Sequence, residues 1–296
     1  CLSGKEYKVW SKATDKTEVP CPNVEAKHGL TFSVDTQPPD TKVTVPANSS
    51  SEKYLDKIEG TATDDWSGVD YVKIKIIDVT DATTYYYFTG VGWSENVTWV
   101  DVSTPTATTW EYNIDDGKWD SGHSYWLVPK GWDNAENIET SLSTSTFVYD
   151  NTPPESGVVI PTNDAYRKAL SQIQGTAKDL PEGSGLTNAG LDKVELKICD
   201  KRSDIGQGDD AYWTGVAWST TTANYFSSGI NLYVSSWTYN INNWTTGHKY
   251  LINVKATDNN NNVETSISTT TFYFDNSTPD SNIATPSQGY VYSALS

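Results

Sequence analysis

Apolar and polar residues alternate with period two along most of this chain. Val72-Lys73-Ile74-Lys75-Ile76 sets branched apolar residues against lysines, the pattern of a strand buried on one face and wet on the other. Lys42-Val43-Thr44-Val45, Ile58 to Thr63, Tyr85 to Thr89, Trp110 to Ile114, Ser124 to Val128 and Thr144 to Tyr149 read as further strands. Turn signals such as Asp64-Asp65-Trp66-Ser67-Gly68 and Gly90-Val91-Gly92 separate them, and no stretch carries a convincing helical period. About seven short strands in roughly 100 to 125 residues predict an antiparallel β-sandwich. Tyr54 and Leu55 are expected to plug one end of its core. Pro129 falls inside a strand that should be central, where it removes a ladder hydrogen bond, so a local bulge is expected there.

The same pattern then repeats. Gly175-Thr176-Ala177-Lys178-Asp179, Lys193 to Ile198, Tyr212 to Ser219 and Trp237 to Ile241 follow the order of the first copy. The extra length lies in Leu180 to Leu191 and Lys201 to Asp210, between strands, where a shared sandwich tolerates insertion. A proline joint marks each boundary: Asp35 to Pro39, Asp150-Asn151-Thr152-Pro153-Pro154, and Asp275 to Pro279. Proline fixes its own φ and biases the preceding residue towards extended backbone, so these joints should be short and stiff. The chain is therefore divided into residues 1–34, the tail of a preceding unit; 35–149 and 150–274, two full units; and 275–296, the head of a following one. It reads as a window on a longer repetitive protein, and tandem sandwiches with such joints should form a rod.

Formal net charge is −17 with 21 basic residues, which argues against nucleic acid as a partner and against anionic lipid. No segment suggests direct membrane insertion. An aromatic share of 12% with no methionine suits strands rather than disorder. Sequons at Asn48, Asn96, Asn243 and Asn276 permit glycosylation. Cys1, Cys21 and Cys199 show no zinc spacing, and a Cys1–Cys21 bond would need the loop after Asp15 to fold back.

Catalytic chemistry is hard to find, and the chain is read as a non-enzyme. His123 and His248 share the slot Gly-His-x-Tyr, which Lys5 fills in the leading segment, so they are read as surface strand residues. Asp115-Asp116 could be a glycosidase pair. Its counterpart is Asn242-Asn243, and adjacent acids in a turn are usually turn formers. Trp93/Trp218, Trp110/Trp237 and Trp119/Trp244 recur in pairs and are assigned to the core. Trp66, Trp99, Trp126, Trp132 and Trp213 lack identical partners and are the better candidates for exposed, sugar-stacking rings.

Gly-Thr-Ala-x-Asp, then Tyr-Trp-Thr-Gly-x-x-Trp, then Ala-Thr-Asp-Asn-x-x-Asn-x-Glu-Thr, then Asp-Asn-Thr-Pro-Pro resembles the bacterial immunoglobulin-like repeats of large cell-surface proteins and adhesins. The likeness covers essentially the whole chain, although Asp133 to Asn137 and Asp258 to Asn262 lack the glycine common in that loop. The resemblance implies all-β, tandem immunoglobulin-like sandwiches in an extracellular stalk that presents a distal binding domain. The second reading is a module gripping glycans or another surface. The expected partners are neighbouring repeats, copies assembled into a fibre, or a cell-surface or glycan ligand.

The resemblance also implies calcium at the joints, and the residues can be assigned. The loops after the second and sixth strands should meet the incoming joint. That gathers Asp35, Asp64, Asp65, Asp133, Asn134 and Glu136 in the first unit, and Asp150, Asn151, Asp179, Glu182, Asp258 and Asn259 in the second. Calcium takes six to eight oxygen ligands in irregular geometry. The same residues could instead simply cap their own turns.

Overall fold

The structure, a computed structural model, describes residues 2–13, 28–106, 108–283, 288–291 and 293, so a Cys1–Cys21 pairing lies outside the described residues. It divides into two compact units. The first holds Cys1–Thr152 together with Leu180–Ala189, and the second holds Pro153–Asp179 with Gly190–Ser296.

The first unit contains β1 (Lys5–Ser11), β2 (His28–Val34), β3 (Asp40–Val45), β4 (Ser50–Glu52), β5 (Lys57–Thr63), β6 (Val69–Asp78), β7 (Tyr86–Phe88), β8 (Trp93–Ser94), β9 (Val100–Asp101), β10 (Ser103–Thr106), β11 (Thr109–Asn113), β12 (His123–Asp133) and β13 (Ser145–Tyr149). One sheet runs β10-β11-β5-β3; the other runs β4-β13-β12-β6-β7-β8, with β9 beside β6. Their inner faces share one core. Ile58, Ala62 and Trp110 come from the smaller sheet, and Val72, Ile74, Ile76, Tyr125, Leu127 and Phe147 from the larger. The alternation in β6 is realised as read: Val72, Ile74 and Ile76 point inward while Lys73 and Lys75 lie on the outer face. Leu55 plugs the core, whereas Tyr54 is exposed and bonds Asp56.

The second unit repeats this with β14 (Glu155–Ile160), β15 (Ala165–Arg167), β16 (Gln172–Lys178), β17 (Leu191–Asp200), β18 (Ala211–Trp213), β19 (Trp218–Ser219), β20 (Ile230–Leu232), β21 (Ser236–Asn240), β22 (His248–Asp258) and β23 (Ser268–Phe274). Its sheets are β14-β16-β21-β20 and β15-β23-β22-β17-β18-β19. Each unit is an immunoglobulin-like antiparallel sandwich with one parallel edge pair, β4 on β13 and β15 on β23. The β1–β2 hairpin shares a closing bond with both sandwiches: Gly4 N–H donates to Val34 O at 2.8 Å, Gly122 to Tyr149 at 2.7 Å and Gly247 to Phe274 at 2.8 Å.

Pro129 corrects one expectation. The register of β12 on β6 runs through Pro129↔Ile74 unbroken, and the irregularity falls at Trp132/Asp133. The Val79 N–H bonds Ser124 O, so even-numbered residues of β12 face β6 and odd-numbered ones face β13. Pairing with β13 ends at Leu127↔Ser145, so a donor at Pro129 would have no ladder partner. In the second unit pairing continues to Val254↔Ser268, and the corresponding residue is valine. Among the described residues, no helix is long and apolar enough to cross a membrane.

Candidate metal centre

The joint before β3, the loop after β5 and the loop after β12 converge in the first unit. Asp35, Asp64 and Asp133 each bring a carboxylate oxygen to within 4.8 Å of the others. Local turns explain how each gets there. Asp64 Oδ2 accepts the Trp66 N–H at 3.1 Å and the Gly68 N–H at 2.8 Å. Asp133 Oδ1 accepts the Ala135 N–H at 2.9 Å and the Asn137 N–H at 2.8 Å. Asp35 accepts the Gln37 N–H on Oδ1 and the Ser67 N–H on Oδ2, both at 2.9 Å. These carboxylates are therefore turn formers first.

The turns leave one oxygen over. Asp64 Oδ1 is buried without a hydrogen-bond partner. A buried carboxylate oxygen with no donor is costly unless a cation or proton meets it. The Gln37 N–H, with further bonds from Ser67 and Ser3, holds Asp35 below the usual carboxylate range against the opposing effect of burial. Three carboxylates, one of them ionised well below neutral pH, make a hard-oxygen set of the kind calcium takes.

The other assigned residues lie around this cluster. Asp65 and Glu136 are exposed, and Glu136 takes a left-handed backbone with φ 67°. The Asn134 amide bridges Ser67 O and Gly68 O, each at 3.0 Å. The residue not anticipated is Asn137. Its amide donates to Asp133 Oδ2 at 2.8 Å and to the joint carbonyls of Asp35 and Gln37 at 3.3 and 3.4 Å. Its recurrence as Asn262, which bonds Asp258 Oδ2 at 2.8 Å, was the available signal.

Within the second unit Asp179 and Asp258 are buried with carboxylate oxygens within 4.8 Å, repeating the Asp64–Asp133 pair. Asp179 Oδ2 accepts the Gly190 N–H at 2.6 Å, and the Asn259 N–H bonds Gly190 O at 2.9 Å. Asp150, in the first unit, is buried and accepts from the Ser121 hydroxyl, the Thr152 N–H and the Ala189 N–H. Asn151 is exposed, and its amide reaches Tyr149 Oη at 3.3 Å. Glu182 is exposed on the Leu180–Ala189 segment of the first unit.

The remaining candidates resolve into structure. Asp115 caps a turn on Gly117 N–H, and Asp116 accepts from Leu55 N–H and Tyr149 Oη. The histidines are not plain surface residues. His123 Nδ1 lies 2.6 Å from Asp78 Oδ2, and His248, which is buried, bonds Asp200 at 2.8 Å and Gln207 at 2.9 Å. The paired tryptophans occupy or border the cores, each N–H satisfied by a carbonyl: Trp93 by Lys118, Trp218 by Asn243, Trp110 by Thr61, Trp237 by Thr176, Trp119 by Leu55 and Trp244 by Leu170. Trp213 is buried as well, whereas Trp66 and Trp126 are exposed.

No protein-family profile and no curated protein matches this sequence. Among solved structures it is similar to a 1.5-MDa bacterial ice-binding adhesin, at 12% identity and TM-score 0.40, over 90% of this chain and 74% of that one. It is also similar to fibronectin(III)-like modules of Clostridium thermocellum CbhA, at 12% identity and TM-score 0.32, over 80% and 94%. A third likeness is a tetra-tandem repeat in the extending region of a large adhesion protein, at 14% identity and TM-score 0.31. That match covers 90% of this chain and 57% of the other.

Proposed function

We propose that this chain is a length of an extracellular stalk, repeating one sandwich to hold a distal binding domain away from the surface that carries it. The supporting observation is that the joint is bonded into the unit it leads. Asp35 accepts from Ser67, and the Asn137 amide clasps the Asp35 and Gln37 carbonyls. A spacer needs joints that transmit load rather than pivot, and a joint anchored on two loops does so. The Asp35, Asp64 and Asp133 cluster is read as a calcium site of the same device. The ion would supply the counter-charge that Asp64 Oδ1 lacks and lock the three segments together.

Small-angle scattering of the intact chain tests the spacer. A stalk gives an elongated particle several nanometres long per unit, since about seven strand residues at ~3.3 Å plus loops set a unit's length. A compact profile overturns it.

A further inference from the structure

The outer face of the first unit's larger sheet carries an unbalanced charge. Lys73 stands directly across from Lys130 in the β6–β12 register. Like charges directly opposite are destabilising. The same register in the second unit pairs Glu195 with Lys255, 3.4 Å apart. Lys73 is relieved by Asp101 at 3.0 Å. Lys75 and Lys130 have no carboxylate among the described residues, in a chain with 38 acids and a net charge of −17. Burial, and then the charge of Lys130, push the Lys75 ammonium below its usual range, and no acid opposes them.

Aromatic rings line the same face. Lys75 and Lys130 lie 5.1 and 5.8 Å from the Trp99 ring centre, and Lys130 lies 5.1 Å from that of Trp132. Trp132 stacks on the exposed Tyr71 with centroids 4.6 Å apart. Trp126, 37% exposed, projects from the same face four residues up the strand from Lys130, about 13 Å away. A pyranose packs its C–H groups on such rings, and an acidic sugar offers the anion that the lysines lack.

We propose that this face binds an acidic polysaccharide, with a carboxylate or sulfate lying between Lys75 and Lys130 and sugar rings resting on Trp126 and the Tyr71–Trp132 stack. Nucleic acid fits less well. A duplex carries a charge every ~1.7 Å, which a chain of net charge −17 repels strongly, whereas a polyuronate carries one carboxylate per sugar and offers the rings a C–H face that a phosphodiester backbone lacks. The proposal stands independently of the stalk reading, since a spacer needs no ligand.

The test titrates the intact chain with oligogalacturonate and with a heparin oligosaccharide, and follows the tryptophan indole N–H signals. Saturable, salt-weakened binding of either is expected. It should fall about tenfold or more in the Lys75→Gln, Lys130→Gln double variant. Lys73→Glu sets a carboxylate across from Lys130, as Glu195 stands across from Lys255, and should also weaken binding, whereas Lys197→Gln in the second unit should not. Binding of neither probe, or binding unchanged in the double variant, overturns the proposal. Neutral dextran, single-stranded DNA or anionic vesicles bound equally well through these lysines overturns the choice of ligand.

Discussion

Replacing Glu139 tests whether one buried carboxylate fastens the first strand to the rest of the sandwich. Glu139 is 3% exposed. Its Oε1 accepts the Thr41 N–H at 3.0 Å, and its Oε2 accepts the Thr41 hydroxyl at 2.6 Å and the Gly131 N–H at 3.0 Å. Thr41 belongs to β3 of the smaller sheet and Gly131 to β12 of the larger, so this side chain bonds both sheets at once. Glu264 does the same in the second unit, taking Ser156 N–H and hydroxyl at 3.0 and 2.5 Å and Ala256 N–H at 2.9 Å. In Glu139→Ala the two backbone donors stay buried without an acceptor, at ~1–3 kcal/mol each. Releasing the carboxylate from burial returns part of that cost, so the net loss should be about 3 kcal/mol. Glu139→Gln keeps one oxygen and turns an NH2 group towards a donor, and should lose about half as much. Hydrogen exchange under mild urea reads the units separately. Peptides of β3 and β12 should lose protection while those of β14 to β23 keep theirs. A loss below about 1 kcal/mol in Glu139→Ala, or an equal loss in both units, would refute the clamp.

Two further outcomes are expected. Calcium at a hundredfold excess over its Kd should stabilise the first unit by about 2.7 kcal/mol, visible as a raised Tm that chelator and Asp64→Asn both remove; a Tm indifferent to calcium would reduce the cluster to turn capping. For the His123–Asp78 pair, the hydrogen bond to Asp78 raises the His123 pKa, while bonds from His123 and Thr80 outweigh burial and lower that of Asp78. The histidine's contribution is therefore full below its ordinary value of about 6.5 and fades as pH rises through its raised value. That of Asp78 is full above about 3.8–3.9 and fades as pH falls through its lowered value. Tm against pH should accordingly decline above neutrality in the native chain and flatten there in His123→Gln; parallel curves would remove the pair from the account.

Strands with a private alternation were legible. Val72 to Ile76 and Lys193 to Ile198 declared which face is buried, and the structure kept it. The Gly-Thr-Ala string was legible as a repeat but not in its reason. A Cβ on Gly60 would lie 2.1 Å from the Trp110 ring and 2.3 Å from Lys42 O, so the indole lies flat on bare backbone while Thr61 O accepts its N–H. Gly175 and Trp237 repeat the arrangement. What could not be read were partners distant in sequence. Asp78 meets His123, and Asp200 meets His248, across neighbouring strands, so a histidine slot that Lys5 fills in the leading segment looked like surface. β4 and β15 escaped because three-residue parallel edges carry no alternation to detect.

In the first unit the three segments assigned to the candidate site meet, and which of their side chains turn inward has a physical reason. Calcium chemistry directs attention to every acid in a converging loop, yet a loop's backbone decides which of them turn inward. In Asp133 to Glu139 that choice follows a spacing. Asp133 enters the cluster, Asn137 reaches the joint carbonyls, and Glu139 takes the first strand, whereas Asn134 ties the Ser67–Gly68 turn and Glu136 is exposed. Asp258, Asn262 and Glu264 keep the same intervals: the Asn262 amide donates to Asp258 Oδ2, and Glu264 accepts from Ser156 and Ala256. Aspartate, then asparagine four residues on, then glutamate two further, therefore couples three separate jobs in one turn after the sixth main strand. A substitution anywhere in that spacing should loosen joint, cluster and strand edge together, and hydrogen exchange should then show the first strand and the joint that precedes it losing protection as one element.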